Sequence, residues 1–342
     1  MVIWKYITVE GERMKSFGIV YKAVGGEDFN EEVDLHINLW DLAKKKKWKK
    51  TKKKETYIDF GLKINYYKKL ETIEFYFPFG VKKENIHDLY DQMKNRDTAA
   101  LIFNDNDFIL NQDKVVVYKL SDEEKKRVLV KIDDSFQIDN KENYSILKID
   151  VSKIALESGS NLENAYIRFR VKSEELKKIL WLQSKLGNKY FESAFVSKQI
   201  IDLKINEPRN IEEIYKKRCR SNNLHYFKFR KIHFLLAEPA SGVSTFFGKS
   251  DVTCRTLEDS EWDTYLENTY NTNDALVYHI KSIAEDKKYE QTFKCLIKSE
   301  IKETNLKMIL AYMMVVIVLG AIGSGVCNGI GSLFSNILEL MK

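Results

Sequence analysis

Proline, cysteine and histidine are all scarce in this chain of 342 residues. The three prolines, Pro78, Pro208 and Pro239, are too scattered to form a proline-rich linker between domains. The four cysteines include no C-x-x-C pair, and the five histidines form no HExxH or H-x-H motif. The sequence therefore contains neither a disulfide framework nor a zinc pattern, and we expect no metal site and no cofactor. Unpaired thiols are typical of a reducing cytosol.

Catalytic motifs are also missing. Gly242 and Gly248 flank the segment VSTFF, but no glycine-rich phosphate-binding loop precedes a predicted helix. The segment from Ser241 to Ser244 lacks the G-x-S-x-G pattern of a nucleophile elbow. We therefore expect no enzymatic activity. An enzyme that acts at the membrane surface is a third hypothesis, which a catalytic constellation in a cleft would favour.

Charged side chains are absent from Met308 to Leu338. The first part of this stretch, 308–327, has about the twenty apolar residues that a helix needs to cross the hydrocarbon core of a bilayer. Because positive charge is retained on the cytoplasmic side, the lysines before the stretch place the body in the cytoplasm. We expect a single-pass, tail-anchored protein of the cell membrane, with the lipid bilayer as a partner. The flanking lysines are Lys294, Lys298, Lys302 and Lys307.

Small residues repeat at helical spacing along this tail. Such rows allow membrane helices to approach closely, so the tail predicts a homo-oligomer. From 330 to 341 the apolar and polar residues separate onto two faces, which predicts a short amphipathic helix on the far membrane surface or folded back into it. The alternatives are that the small residues only loosen the helix before it leaves the membrane, and that the span simply continues to 341 and frays. The two rows are Ala321, Gly325 and Gly329, and Gly323, Cys327 and Gly331.

Short runs of β-branched and aromatic residues recur along the body. Their spacing is typical of antiparallel sheets in a sandwich or barrel, so we predict a mainly β (α+β) fold with few helices. Helices are expected at 257–267 and 274–285, and in a neck at 289–307. The strand candidates are 2–10, 17–24, 34–40, 56–64, 72–79, 99–104, 114–120, 127–132, 144–151, 165–171, 200–205 and 225–237.

Two β-rich lobes are the predicted division of the cytosolic body. The first covers 1–150, and the second covers 160–300 with the helices and the neck. The boundary is placed at the short loop around Ser158, Gly159 and Ser160. The transmembrane helix at 308–327 and the tail helix at 330–341 complete the chain.

One lysine run carries most of the excess positive charge. The net charge is +6, and the run KKKKWKKTKKK contains nine lysines, so 47 basic and 50 acidic residues remain elsewhere. The run lies between two strand candidates and is predicted to be a hairpin loop. It fits contact with anionic lipid, contact with a nucleic-acid backbone, or a solvated loop. The lipid interpretation involves Lys44, Lys45, Lys46, Lys47, Trp48, Lys52, Lys53 and Lys54.

Arginines concentrate in the second half of the body. Arg168 and Arg170 are two positions apart in a predicted strand, as are Lys228 and Arg230, and aromatic residues separate them. Guanidinium groups grip phosphates, and aromatic rings stack on bases. These four residues are candidates to bind a nucleotide or a protein ligand, and the alternative is a solvent-facing strand surface.

The layout as a whole supports two main hypotheses. It resembles membrane-anchored effectors of bacterial anti-phage systems, in which a sensing module is fused to membrane helices. This likeness concerns architecture only, and it implies a membrane-anchored sensor or effector with antiviral defence as its role. The alternative is a binding or scaffold protein held at the membrane by a passive anchor. A passive anchor should tolerate replacement by a generic leucine-rich span.

Overall fold

A computed structural model describes residues 15–26, 28–43, 54–103, 108–111, 116–119, 122–157, 162–183, 196–247, 251–257, 259–267, 270, 272, 275–284, 289–302 and 306–340. The strands are β1 (Gly18–Ala23), β2 (Val33–Ala43), β3 (Lys54–Ile64), β4 (Leu70–Phe77), β5 (Ile86–Asp88), β6 (Phe108–Asn111), β7 (Val116–Lys119), β8 (Asp122–Val130), β9 (Phe136–Asn140), β10 (Ser145–Asp150), β11 (Asn164–Lys172), β12 (Trp181–Gln183), β13 (Val196–Ile205), β14 (His225–Tyr226), β15 (Lys231–Pro239), β16 (Gly242–Phe247), β17 (Asp251–Thr256), β18 (Ala275–Ile283) and β19 (Phe293–Lys302).

Helices are fewer and mostly short. The α-helices are α1 (Tyr90–Met93), α2 (Arg96–Phe103), α3 (Val151–Glu157), α4 (Glu175–Leu180), α5 (Glu213–Ser221), α6 (Asp259–Tyr265) and α7 (Leu306–Leu340). The predicted helix at 257–267 is confirmed as α6. The predicted strand at 99–104 is wrong, because those residues fall largely in α2.

The strands form three sheets, which confirms the mainly β prediction. The first has the order β14-β1-β4-β10-β9, and the second, ten-stranded, has the order β17-β18-β15-β2-β3-β11-β8-β7-β6 with β5 added against β11. The third has the order β12-β13-β19-β16. The second sheet is mixed, since β15 runs parallel to β2 and β8 parallel to β11. Chain excursions through the other sheets connect these parallel neighbours.

The first two sheets pack face to face on apolar side chains. In β3, the alternation of Ile58, Phe60 and Leu62 with polar or small residues places all three on one face, where they are buried. The ring centroids of Phe60 and Phe75 are 5.6 Å apart, and those of Phe169 and Phe75 are 4.8 Å apart. One continuous core therefore joins the two sheets.

Helices cover the outer faces of both sheets. On the five-stranded sheet, Tyr215 of α5 packs against Tyr76 with ring centroids 4.5 Å apart. On the ten-stranded sheet, Trp262 of α6 packs against Trp40 at 5.3 Å. A helix thus lies on the outer side of each of the two stacked sheets, and the third sheet adds its buried residues, such as Leu203 and Ile297, to the same core.

Strands from both halves of the sequence share these sheets. Parallel neighbours β2 and β15 lie on opposite sides of residue 150, and so do β8 and β11. The predicted division near residue 150 therefore does not coincide with a boundary between sheets or cores.

The region before the tail differs from its prediction. The predicted helical neck at 289–307 is wrong, because β19 occupies most of it and pairs with β13 and β16. Its side chains alternate, with Cys295 and Ile297 buried and Lys294 and Lys298 exposed. The predicted helix at 274–285 is also wrong, since β18 pairs there with β15.

A single helix, α7, covers the predicted transmembrane element 308–327 and the predicted tail helix up to Leu340, and residue 341 lies outside the described residues. All side chains from Tyr312 to Val326 are exposed. Within the part of the chain that the structure describes, no helix meets the combined requirements of length and apolarity for crossing a membrane.

Candidate functional site

The ten-stranded sheet has one apolar and one polar face. The polar side chains come from alternate positions of β2, β3 and β11, and the pairing register places Arg170 opposite Asp59 and Arg168 opposite Gly61. On the other side of β3, Asn38 lies opposite Asp59. Because α6 covers this face, the polar groups are buried and must find their partners within the protein.

Asp59 is the centre of the buried polar network. Its carboxylate accepts hydrogen bonds from Arg170 Nε at 2.7 Å and Nη2 at 3.1 Å, from Trp40 Nε1 at 2.8 Å and from the Tyr265 hydroxyl at 2.6 Å. Burial by itself raises the pKa of the Asp59 carboxyl, but the adjacent Arg170, with Arg168 and Tyr265, holds that pKa below its usual value. The carboxylate is therefore ionised.

Arg168 is the second cation beside this carboxylate. Its Nε donates to the Tyr265 hydroxyl at 2.7 Å, its Nη1 donates to the Tyr166 hydroxyl at 2.9 Å, and its Nη2 lies 3.9 Å from Asp59 Oδ2. When the Asn38 amide is oriented to satisfy both of its polar atoms, its oxygen accepts from Arg168 Nη2 at 2.9 Å. One carboxylate thus serves two buried guanidinium groups.

The absence of a side chain at Gly61 leaves room for the side chains of the network. A Cβ at Gly61 would lie 2.5 Å from the Tyr166 hydroxyl oxygen and 3.0 Å from Arg168 Nη1. The requirement for glycine is therefore steric, because the side chains of Tyr166 and Arg168 cross directly over the β3 backbone.

Three histidines extend the network towards the surface. The Tyr166 hydroxyl lies 3.2 Å from His36 Nδ1, the His36 and His233 rings are 5.1 Å apart, and His233 Nδ1 lies 3.1 Å from His279 Nε2. Burial, with the neighbouring positive groups, lowers the pKa of all three, and that of His233 falls to about 4. The row is uncharged at neutral pH. Among the described residues, no group of three or more potential ligands is arranged to hold a metal ion.

A cavity of about 430 Å³ opens on the opposite side of the molecule, beside α5 and β14. Its lining is rich in basic side chains, and Asp28 is the one carboxylate among the described lining residues. Aromatic and apolar groups complete the wall, including Tyr21, Leu224 and Tyr226. The basic lining residues are Lys216, Arg220, His225 and Lys228.

The four residues predicted to bind a ligand lie in different places. Arg168 and Arg170 belong to the buried network, where protein groups occupy their guanidinium forks. Lys228 lines the cavity. Arg230 donates through Nη1 to the Ala284 carbonyl at 2.5 Å. Their role in ligand binding stays a prediction.

The other predicted residues lie in or beside the loop and the tail. The lysine run 44–53 lies outside the described residues, and β2 and β3 on either side of it pair as the hairpin interpretation predicted. Lys54 is the first residue of β3. Of the small tail residues, Ala321, Gly323 and Gly325 are exposed. Gly329 and Gly331 lie within α7.

Sequence reasoning missed Asp59, Trp40 and Tyr265. Asp59 does carry a signal, since it is an acidic residue between the apolar Ile58 and Phe60 of a strongly alternating strand. Its partner Arg170 is 111 positions away, a pairing that a single sequence does not reveal.

Comparison with known proteins gives no family for the chain. No family model matches the sequence, and a search of the curated proteins finds no match. The interpretation of both sites therefore rests on their geometry.

The network predicts that Asp59→Asn is strongly destabilising. Loss of the carboxylate leaves two buried guanidinium groups without a counter-charge, which should lower the free energy of unfolding by about 3–5 kcal/mol. Urea unfolding of the full chain in mild detergent, followed by tryptophan fluorescence, measures this. The matched control, Glu71→Gln, breaks an exposed ion pair with Lys22, at 38% and 42% side-chain exposure, and should cost under about 1 kcal/mol. Equal midpoints for the two variants would contradict the role given to Asp59.

Gly61→Ala is predicted to destabilise the body through crowding alone. The added methyl group displaces the Tyr166 hydroxyl from Arg168 and His36, and we expect a loss of about 1–3 kcal/mol in the same unfolding assay. Gly80→Ala is the control, because a Cβ at Gly80 meets nothing within 4 Å. If both alanine variants unfold at the wild-type midpoint, Gly61 is not required for the close approach.

Proposed function

We propose that the protein is a membrane-anchored sensor or effector. In this proposal the β-rich body lies in the cytoplasm and binds a ligand, and α7 attaches the body to the lipid bilayer as a single pass. The layout resembles that of effectors of bacterial antiviral defence, which is the biological role we propose. Catalysis has no part in it.

The observation that carries the proposal is the contrast between α7 and the body. Exposed large apolar side chains are scattered singly over the body, as at Val243, whereas in α7 they follow one another along the helix, with Met314, Ile317 and Leu319 60–64% exposed. Exposing this much apolar surface to water is unfavourable. A lipid environment avoids that free-energy cost on all sides of the helix. The charge-free stretch and the lysines before it support the same arrangement.

The connection between the cavity and the tail favours an active role for α7 over a passive anchor. Gln291 lines the cavity, and β19 begins two residues later. Residues 303–305 separate β19 from α7. Phe229, next to the cavity residue Lys228, pairs with Glu290 through backbone hydrogen bonds of 2.8 and 2.9 Å. A change at the cavity therefore has a direct route along β19 to α7.

The alternative is a membrane-held binding or scaffold protein whose tail only anchors it. The small residues of the tail distinguish the two functions, because close helix contacts serve an assembly and are not needed by an anchor. A Cβ at Gly323 or Gly325 meets nothing within 4 Å in the chain. Larger side chains at these positions are thus compatible with the fold of a single copy.

Membrane attachment predicts that charge in α7 releases the protein. Each arginine near the centre of a membrane helix raises the free energy of insertion by about 2.5–3.5 kcal/mol. The double variant Ile317→Arg with Leu319→Arg should therefore move most of the full chain out of the membrane fraction in a liposome flotation assay. Val243→Arg is the control, since Val243 is as exposed, at 69%, but lies on the body.

Two outcomes of this assay are decisive. Flotation of the double arginine variant at the wild-type level would contradict attachment through α7. Release of the wild-type protein by alkaline carbonate would contradict the single-pass arrangement and leave a surface-bound helix.

An assembly of tails predicts that Gly325→Leu with Gly329→Leu lowers cross-linked oligomers of the full chain in liposomes several-fold. The added bulk holds neighbouring helices apart while the helix stays apolar, so flotation should not change. Val326→Leu is the matched control, an exposed and already apolar position on the same helix. Unchanged oligomers in the double leucine variant would favour the passive anchor.

A further inference from the structure

We propose that the cavity beside α5 and β14 binds a small phosphorylated ligand with a planar ring, of the size of a mononucleotide. The proposal identifies the ligand that the body would sense, and in this respect alone it rests on the proposed function. The cavity volume of about 430 Å³ lies in the range of small-molecule sites.

Positive charge around the cavity favours an anion. Lys216 and Arg220 are one helical turn apart on α5, and Lys228 approaches from the segment between β14 and β15. Glu213 pairs with Lys216 at 2.6 Å and with Arg220 at 3.1 Å, but its carboxylate is 57% exposed and is not part of the lining. A phosphate in the cavity can compete for these cations, because exposed ion pairs are weak.

A flat aromatic surface lies beside these cations. The rings of Tyr21 and His225 stack with centroids 5.8 Å apart and an angle of 29° between their planes. Tyr21 is buried, whereas the His225 side chain is 37% exposed, so His225 presents the outer face of the pair. A planar ring of the ligand can continue this stack.

One nitrogen of the His225 ring has a hydrogen-bonding partner, and the other faces a carboxylate at a longer distance. Nε2 lies 3.1 Å from Asn223 Oδ1, and Nδ1 lies 3.6 Å from Asp28 Oδ1. The edge of the ring is therefore engaged, and its face is the part available to a ligand.

Strand pairing and hydrogen bonds join the elements that form the cavity walls, which lowers the cost of binding. The β1–β14 pairing places Tyr21 opposite His225. Arg218 anchors α5 to β4 through a bidentate pair with Glu74, at 2.6 and 2.9 Å. The site is thus formed before the ligand arrives.

Cys219 also lines the cavity and supports binding over covalent chemistry. Burial raises the pKa of its thiol to about 11, so the thiol stays protonated and is a poor nucleophile at neutral pH.

Isothermal titration calorimetry of the full chain in detergent tests the proposal with AMP, GMP, CMP and UMP, and with adenosine and inorganic phosphate. We expect at least one nucleotide to bind, and at least tenfold more tightly than adenosine or phosphate. Arg220→Gln and Lys228→Gln should each weaken that nucleotide by about tenfold, the loss of one charge-assisted contact. His225→Ala should weaken the nucleotide by about tenfold and leave the affinity for phosphate unchanged.

Lys217→Gln provides the matched control. Lys217 is exposed on α5 next to Lys216 and is not part of the cavity lining, so this variant should bind within twofold of wild type. No binding by any of the four nucleotides, equal binding of adenosine and its nucleotide, or an equal loss in Lys217→Gln would each overturn the proposal. Liposome flotation of the same variants should not change, which separates failure of this site from failure of the membrane proposal.

Discussion

The buried carboxylate of Asp59 constrains the packing of the helical layer on the ten-stranded sheet. It accepts hydrogen bonds from Arg170, Trp40 and Tyr265, which belong to β11, β2 and α6. Two guanidinium groups beside one carboxylate leave an excess positive charge that water does not reach, and such charges are tolerated only when every donor has a partner. Tyr265 meets this condition, because its hydroxyl donates to Asp59 and accepts from Arg168. A shift of α6 would therefore break one bond of the carboxylate and one bond of Arg168 at once.

Strands β2, β3 and β11 supply the main core with their other face. Because side chains alternate along β3, Ile58 and Phe60 point towards the five-stranded sheet while Asp59 and Gly61 point towards α6. A slip of one residue would place the acid in the apolar core, so the polar network also fixes the strand register. The alternation of side chains along β3 thus connects the packing of the two sheets with the packing of α6.

Much of the local structure could be predicted from sequence, whereas the pairing could not. The alternation in β2, β3 and β11 identified them as strands. The segment 225–237 was predicted as one strand but is divided between two sheets, β14 in one and β15 in another, because the chain crosses from sheet to sheet between them. Lys294, Lys298 and Lys302 recur every four residues, a spacing that places residues on one face of either a helix or a strand. The burial of Cys295 and Ile297, two residues apart between exposed lysines, is the pattern of a strand.

In the candidate site, the basic and aromatic neighbours of Lys228 in the sequence predict a role for it. Lys216 and Arg220 reach the cavity only because α5 packs beside β14, and the sequence does not show that packing.

The position of β19 determines how a ligand signal can reach the tail. Its ten residues span about 33 Å, so the cavity at Gln291 and the start of α7 lie near opposite ends of one strand. This strand has a partner on each side, and its buried residues belong to the main core, so it cannot move independently of the body. A flexible linker would absorb a change at the cavity, whereas a strand paired on both sides passes the change to the sheet and core to which it belongs. Since three residues separate β19 from α7, the tail begins close to the end of that strand. Under the proposed function, this continuity is the physical reason to expect that binding at the cavity changes the arrangement of tails in the membrane.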